Sequence, residues 1–158
     1  MSDDIEIVDL VHDLLKADDN LAELVDWKKA NGLVSLATSG CSVGLDEEGF
    51  NEYTRDKDET VGSVRILIWV KMVDPVTAEA KIRALAKAAR QVLVKNRTLG
   101  GAVANSYVEK IYYATSDADK NLILHMADLD FKVKYYASRT WPETQPIELV
   151  NNDIGTEQ

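Results

Sequence analysis

The chain has 158 residues, enough for one domain with its own core and no need of disulfides or a structural metal. A formal net charge of -9 argues against a nucleic-acid-binding surface, which needs a basic patch. The lone cysteine, Cys41, excludes an internal disulfide and fits a reducing compartment. The acidic start Met1-Ser2-Asp3-Asp4 is unlike a signal peptide, and no apolar run approaches the ~20 residues of a membrane span. The expectation is a soluble protein, assembled in the cytoplasm and away from membranes.

Residues 4–16 predict an amphipathic helix. Ile5, Val8, Val11 and Leu15 recur at helical spacing, flanked by Ile7 and Leu14, and Asp3 or Asp4 is placed to cap it. Asp18-Asp19-Asn20 then breaks the helix and opens a second, shorter one to about Ala30, with Leu21, Leu24 and Trp27 or Lys28 inward and Asn31-Gly32 as its stop. The segment from Met1 to Asp26 carries nine acids against Lys16 alone, an acidic face from the outset. Leu33 to Thr38 is a candidate strand, Ser39-Gly40 a turn, and Cys41 to Leu45 a short partner strand. Residues 46–60 hold Asp46, Glu47, Glu48, Glu52, Asp56, Asp58 and Glu59 against only Arg55 and Lys57. They read as a long exposed acidic loop or hairpin arm, with Phe50 and Tyr53 as its large apolar anchors.

Val64 to Met72 alternates with period two and marks a strand. Val64, Ile66, Ile68, Val70 and Met72 form a wholly apolar face that must lie on a core. Arg65, Leu67, Trp69 and Lys71 form a mixed face suited to partial cover, such as another subunit. Asp74-Pro75 stops the strand and starts a helix to about Lys95 or Thr98. Ile82, Leu85, Ala86, Ala89, Val92 and Leu93 are its apolar stripe. Arg83, Lys87, Arg90 and Arg97 share another stripe. With Lys81 and Lys95 against Asp74 and Glu79, the segment is net +4 inside an acidic chain.

Gly100-Gly101 ends that helix. Ser106 to Thr115 alternates again, with Val108, Lys110, Tyr112 and Ala114 opposing Tyr107, Glu109, Ile111 and Tyr113. After a polar turn over 116–121, Leu122 to Tyr136 is a strand whose apolar phase changes. Leu122, Leu124 and Met126 are even-numbered and Leu129, Phe131, Val133 and Tyr135 odd, so a bulge near Ala127-Asp128 is expected to bring both halves to one face. Residues 138–158, with Trp141-Pro142 and Pro146, read as an extended mobile tail beyond one domain over 1–137. The order of elements predicts an α+β fold, a mostly antiparallel β-sheet with helices packed on one face.

No catalytic, cofactor or metal constellation emerges. His12 and His125 lack partners at metal-ligand spacing and read as structural or surface residues. Cys41 has no base in its sequence neighbourhood and reads as a small, semi-buried residue. Asp117-Ala118-Asp119-Lys120-Asn121 has the alternating oxygens of a calcium loop, but Leu122 stands where such a loop needs glycine, so a hairpin turn is the better reading. No phosphate-binding glycine loop is present.

The charge distribution carries more information. Its plainer reading is an ordinary solvated loop and an ordinary solvated helix. The sharper one is that the basic helix and the acidic arm meet between neighbouring subunits, head to tail, in a contact that closes into a ring. The residues proposed for such an interface with another subunit are Arg65, Leu67, Trp69, Lys71, Arg83, Lys87, Arg90, Glu52, Asp56, Asp58, Glu59 and Trp141.

The stretch Glu59-Thr60-Val61-Gly62-Ser63-Val64-Arg65-Ile66-Leu67-Ile68-Trp69-Val70, then Asp74-Pro75 with its alanine-rich helix and the strand Ala127 to Tyr136, resembles phage tail terminator (tail completion, or neck) proteins. Ile5 to Lys16 matches the family's amphipathic N-terminal helix. The resemblance covers roughly the first 137 residues; the acidic arm and the tail after Ser138 have no counterpart in it. It implies a non-catalytic virion protein that forms a ring, usually a hexamer, on the last ring of the tail tube. Its implied partners are further copies of itself, the tail tube protein and a head-completion or connector protein, with DNA passing through the lumen without specific binding. The rival within the same class is a head-closure or connector subunit. The rival from another class is a small ligand-binding or enzymatic α+β domain, which requires a concave pocket, for instance near Cys41, His125 and Tyr112.

Overall fold

In the computed structural model, which describes residues 3–30, 38–72, 74–119 and 122–139, the alternating stretch singled out above is the middle of a longer strand. That strand, β3 (Lys57–Met72), is the centre of a five-stranded sheet. The other strands are β1 (Asp26–Lys28), β2 (Gly40–Glu52), β4 (Asn105–Asp119) and β5 (Leu122–Ser138), in the spatial order β1-β2-β3-β5-β4. Only β1 and β2 pair in parallel; every other neighbouring pair is antiparallel. Two helices, α1 (Asp3–Lys16) and α2 (Pro75–Lys95), cover one face. The fold is α+β, as the order of elements predicts.

The core lies between that face and the helices. Val64, Ile66, Ile68 and Val70 of β3 are buried there with Cys41 and Val43 of β2 and Ala127, Leu129, Phe131 and Val133 of β5. From α2 come Ala78, Ile82, Leu85, Ala86, Ala89 and Leu93. Full burial of each large aliphatic or aromatic side chain contributes about 1.5–3 kcal/mol, and the alanines let helix and sheet approach closely. Asp74 caps α2 through its carboxylate, which accepts from the Thr77 N–H at 3.3 Å, and Pro75 occupies the first turn, where an N–H is not needed. α1 already includes Asp3 and Asp4, so neither is its cap. Its fully buried line is Ile7, Val11 and Leu15, with Val8 only partly buried beside it.

The structure departs from the sequence-based expectation at several points. The second helix is a single 3-10 turn over Asp19–Leu21, capped by Asp18. Leu21 and Leu24 are buried as expected, but the chain then extends into β1, where Val25 and Asp26 donate to the Ser39 carbonyl and Trp27 lies level with Cys41. Pairing with β2 thus overrides a modest local helix preference. The candidate strand at 33–38 falls outside the described residues except for Thr38, which lies in a bend. The short strand at Cys41–Leu45 runs on to Glu52. The acidic region is therefore the hairpin arm, paired from Glu47↔Ser63 to Glu52↔Asp58 around a turn at 53–56.

No bulge interrupts β5 at Ala127-Asp128; its register with β3 is continuous from Met72↔Ile123 to Lys57↔Ser138. The change of apolar phase instead reports two apolar faces. Leu129, Phe131 and Val133 face the helices, whereas Leu124 and Met126 share the opposite face with Lys71 and Trp69. The register shifts lie elsewhere, at Asp46 in β2 and, in β4, at Glu109 and again between Asp117 and Asp119. The shift at Glu109 brings Ile111 onto the core-facing side with Val108, which simple alternation places apart. β4 continues to Asp119 opposite Leu122, where a polar turn over 116–121 is expected; residues 120 and 121 lie outside the described residues, as do Trp141 and the rest of the expected tail after Arg139.

On the face away from the helices, the ends of the β1–β2 connection lie against β2 and β3. Ser42 Oγ donates to the Ala30 carbonyl, and the Trp69 indole N–H donates to the Thr38 carbonyl at 2.7 Å. Gly40 makes this approach possible. A Cβ there would lie 2.1 Å from the Asp26 carbonyl oxygen and 2.7 Å from the Trp69 ring. Gly40→Ala is expected to destabilise the chain by about 1–3 kcal/mol in denaturant melts through overpacking. Gly49→Ala, whose Cβ would come no nearer than 4.0 Å to the Val61 oxygen, is expected to be neutral or stabilising by up to about 1 kcal/mol.

Candidate interaction surface

The sheet has two open edges of opposite character. β1 covers β2 only at Gly40–Ser42, so the outer half of β2 is unpaired on that side among the described residues. This edge carries Asp46 and Glu47, both exposed and, among the described residues, without an ion pair. The other acids of the arm are spent internally. Lys134 meets Glu59 at 3.1 Å, Arg139 reaches Asp58 at 3.2 Å and Glu52 at 3.6 Å, and the Tyr135 hydroxyl donates to Glu48. Asp56 stays exposed in the turn, where its carbonyl accepts from the Arg139 N–H at 2.7 Å.

The opposite edge is β4, flanked by the basic side of α2. Arg83 is held by Glu79 one helical turn away at 2.8 Å. Lys87 and Arg90 are exposed and, among the described residues, free of ion pairs. Arg97 donates to the Asn105 side chain at 3.0 Å. Beside them a cleft of about 240 Å³ opens between α2 and β4. Leu93, Val108 and Phe131 form its apolar floor, and Arg90, Val94 and Arg97 its rim. Tyr107, Tyr112 and Tyr113 are exposed along the same strand. Sequence alternation did not single out this cleft, because its walls come from three elements distant in the chain.

The mixed face of β3 is less available than its sequence suggests. Trp69 is 0% exposed, sealed against Gly40 and the Thr38 carbonyl, so its ring is not on the surface of the single chain. Leu67 and Lys71 are half-buried. Arg65 is engaged by Asp128, and this hydrogen-bonded contact holds its guanidinium above the usual arginine range. The predicted interface residues therefore separate into two groups: Lys87 and Arg90 stand open on one edge, while Arg65, Asp58 and Glu59 are bound within the chain.

The residues named for chemistry do not converge. His125 is buried on the helix-facing side near Glu79 and Thr115, and its Nε2 has no hydrogen-bond partner among the described residues. Tyr112 stands on the opposite face, level with Asp128. Cys41 is in the core. His12 is buried edge-on to Trp27 and hydrogen-bonds Asp13 at 2.9 Å, which holds the Asp13 carboxyl below its usual range. Among the described residues no cluster of three or more His, Cys, Asp or Glu is placed to hold a metal ion, and no helix is long and apolar enough to cross a membrane.

With this geometry in view, the fold has a solved counterpart. The chain is similar to one described as "Virion of native gene transfer agent (GTA) particle", with a TM-score of 0.52 over 83% of this chain and 95% of that one. At 15% sequence identity the likeness is one of fold. No family model matches the chain, and no curated protein matches it.

Burial alone pushes the Cys41 thiol well above the ordinary thiol range. Iodoacetamide is therefore expected to leave the native chain unmodified and to label it on unfolding. Because the folded value is raised, the associated stability is complete below ~8.5 and falls as pH rises beyond it, by at most about 1.4 kcal/mol per pH unit. Denaturant melts of Cys41→Ala should lack that component of the alkaline loss.

Proposed function

We propose that this chain is a structural virion protein of a phage or prophage, a tail terminator that forms a ring at the head-proximal end of the tail, stops tube polymerisation and offers the surface for head joining. The observation that carries the reading is the opposition of charge across one sheet: an acidic β2 edge and a basic α2–β4 edge on the same subunit. Two such edges meet head to tail, and a heterologous contact of that kind closes into a ring when the rotation fits. The fold shared with nearly the whole of a chain from a virion particle supports the same class. The scattering of Cys41, His125 and Tyr112 over separate parts of the molecule weighs against the enzymatic rival.

In this reading the ring is a hexamer, its partners are the tail tube protein and a head-completion or connector protein, and an acidic lumen lets DNA pass without adhering. Lys87 and Arg90 carry more of the subunit contact than Arg83, which is already paired. The fold likeness fits a connector or head-closure subunit equally well, and the phenotype of a deletion separates the two. Loss of a terminator gives overlong tails, whereas loss of head closure leaves filled heads leaking DNA.

Reversing Arg83, Lys87 and Arg90 to glutamate is expected to weaken self-association at least about tenfold at low salt, as light scattering would show, and the deficit should shrink as salt screens it. Unchanged assembly would remove the charge-paired ring from consideration.

A further inference from the structure

Resting on the ring reading above, we propose that the cleft between α2 and β4 receives Phe50 from the β2–β3 arm of an adjacent copy. Phe50 is 57% exposed, on the helix-facing side of the arm level with Thr60. Tyr53 is as exposed, at 58%, but its ring packs on Tyr136 at 4.6 Å between centroids. This large aromatic on a paired strand, Phe50, flanked on its own face by Glu48 and Glu52, is displayed to solvent.

The cleft supplies what that side chain lacks. Its floor of Leu93, Val108 and Phe131 is apolar, and its volume of about 240 Å³ admits an aromatic ring. Its rim presents Arg90, free of ion pairs among the described residues, to the acidic arm that carries Phe50, whose Glu47 is likewise without an ion pair among them. A buried aromatic surrounded by arginines is the usual composition of an interface anchor. The placement is also topologically consistent. The arm continues the β2 side of the sheet and the cleft lies along the β4 side, so an arm reaching from one copy to the next joins unlike edges and the contact can repeat around a ring.

A mixed-crosslinking experiment tests this with the full chain. One population carries Glu52→Cys, on the same face of the arm two residues from Phe50, and the other Val94→Cys; both positions are exposed, Val94 at 48%, so neither change disturbs the core and Phe50 stays in place. The native Cys41 is buried and stays silent. Under mild oxidation the mixture is expected to form a disulfide-linked dimer on a non-reducing gel, and each variant alone is not. In parallel, Phe50→Ala should weaken association about tenfold or more by light scattering. An oligomer that assembles without the mixed dimer overturns the docking and leaves the ring reading standing, whether or not another virion protein fills the cleft. A dimer formed equally by either variant alone also overturns it. A chain that remains single both in solution and in assembled tails overturns docking and ring together.

Discussion

The constraint on which the molecule depends is that β3 is covered on both faces. On one side Ile66, Ile68 and Val70 meet α2; on the other Trp69 is sealed by the backbone around Thr38 and Gly40. Neither cover is local in sequence. The helix begins directly after the strand, but the opposite cover comes from a segment that precedes it and closes only where a glycine lets two backbones touch. Once β3 is fixed, β2 and β5 have a template on each side, and their outer halves extend past the helices as a charged arm.

That extension divides the charges of the chain into those that hold it together and those that face outward. Asp58, Glu59, Lys134 and Arg139 neutralise one another across β3 and β5 near the tip of the arm. Such partly exposed pairs contribute only ~0–1 kcal/mol each, so they serve more to set the arm's register than to stabilise it. Among those that face outward without an ion pair in the described residues, Asp46 and Glu47 lie at β2 and Lys87 and Arg90 at α2. An arrangement of this kind has little value within one subunit and a direct one between subunits.

Much of the fold was legible because β3 and α2 are strongly periodic and because Asp74-Pro75 marks a helix start unambiguously. Charge segregation was legible for the same reason that it is present: like charges lie close together in the chain. The misses have a common physical origin in contacts between distant segments. β1 is a strand only because β2 offers it a parallel edge. Trp69 is buried only because Thr38 and Gly40 come across it. Residues 46–60 form a hairpin in which the β3 half is also paired with β5, far along the chain. The cleft drew on α2, β4 and β5 together, and no single stretch could announce it.

The bulge at Asp46 has a consequence of its own. Before it, Cys41, Val43 and Leu45 point toward the helices; after it, Glu48, Phe50 and Glu52 do. One unpaired residue thus converts an odd-numbered inner face into an even-numbered one. A chain lacking that residue would keep Leu45 opposite Val64 and Phe50 opposite Thr60; only if Asp46 entered the ladder opposite Ser63 would Glu47, Gly49 and Asn51 turn inward and the aromatic look out from the reverse side. What the arm displays is therefore set by whether Asp46 stays out of the ladder as much as by the chemistry of β2.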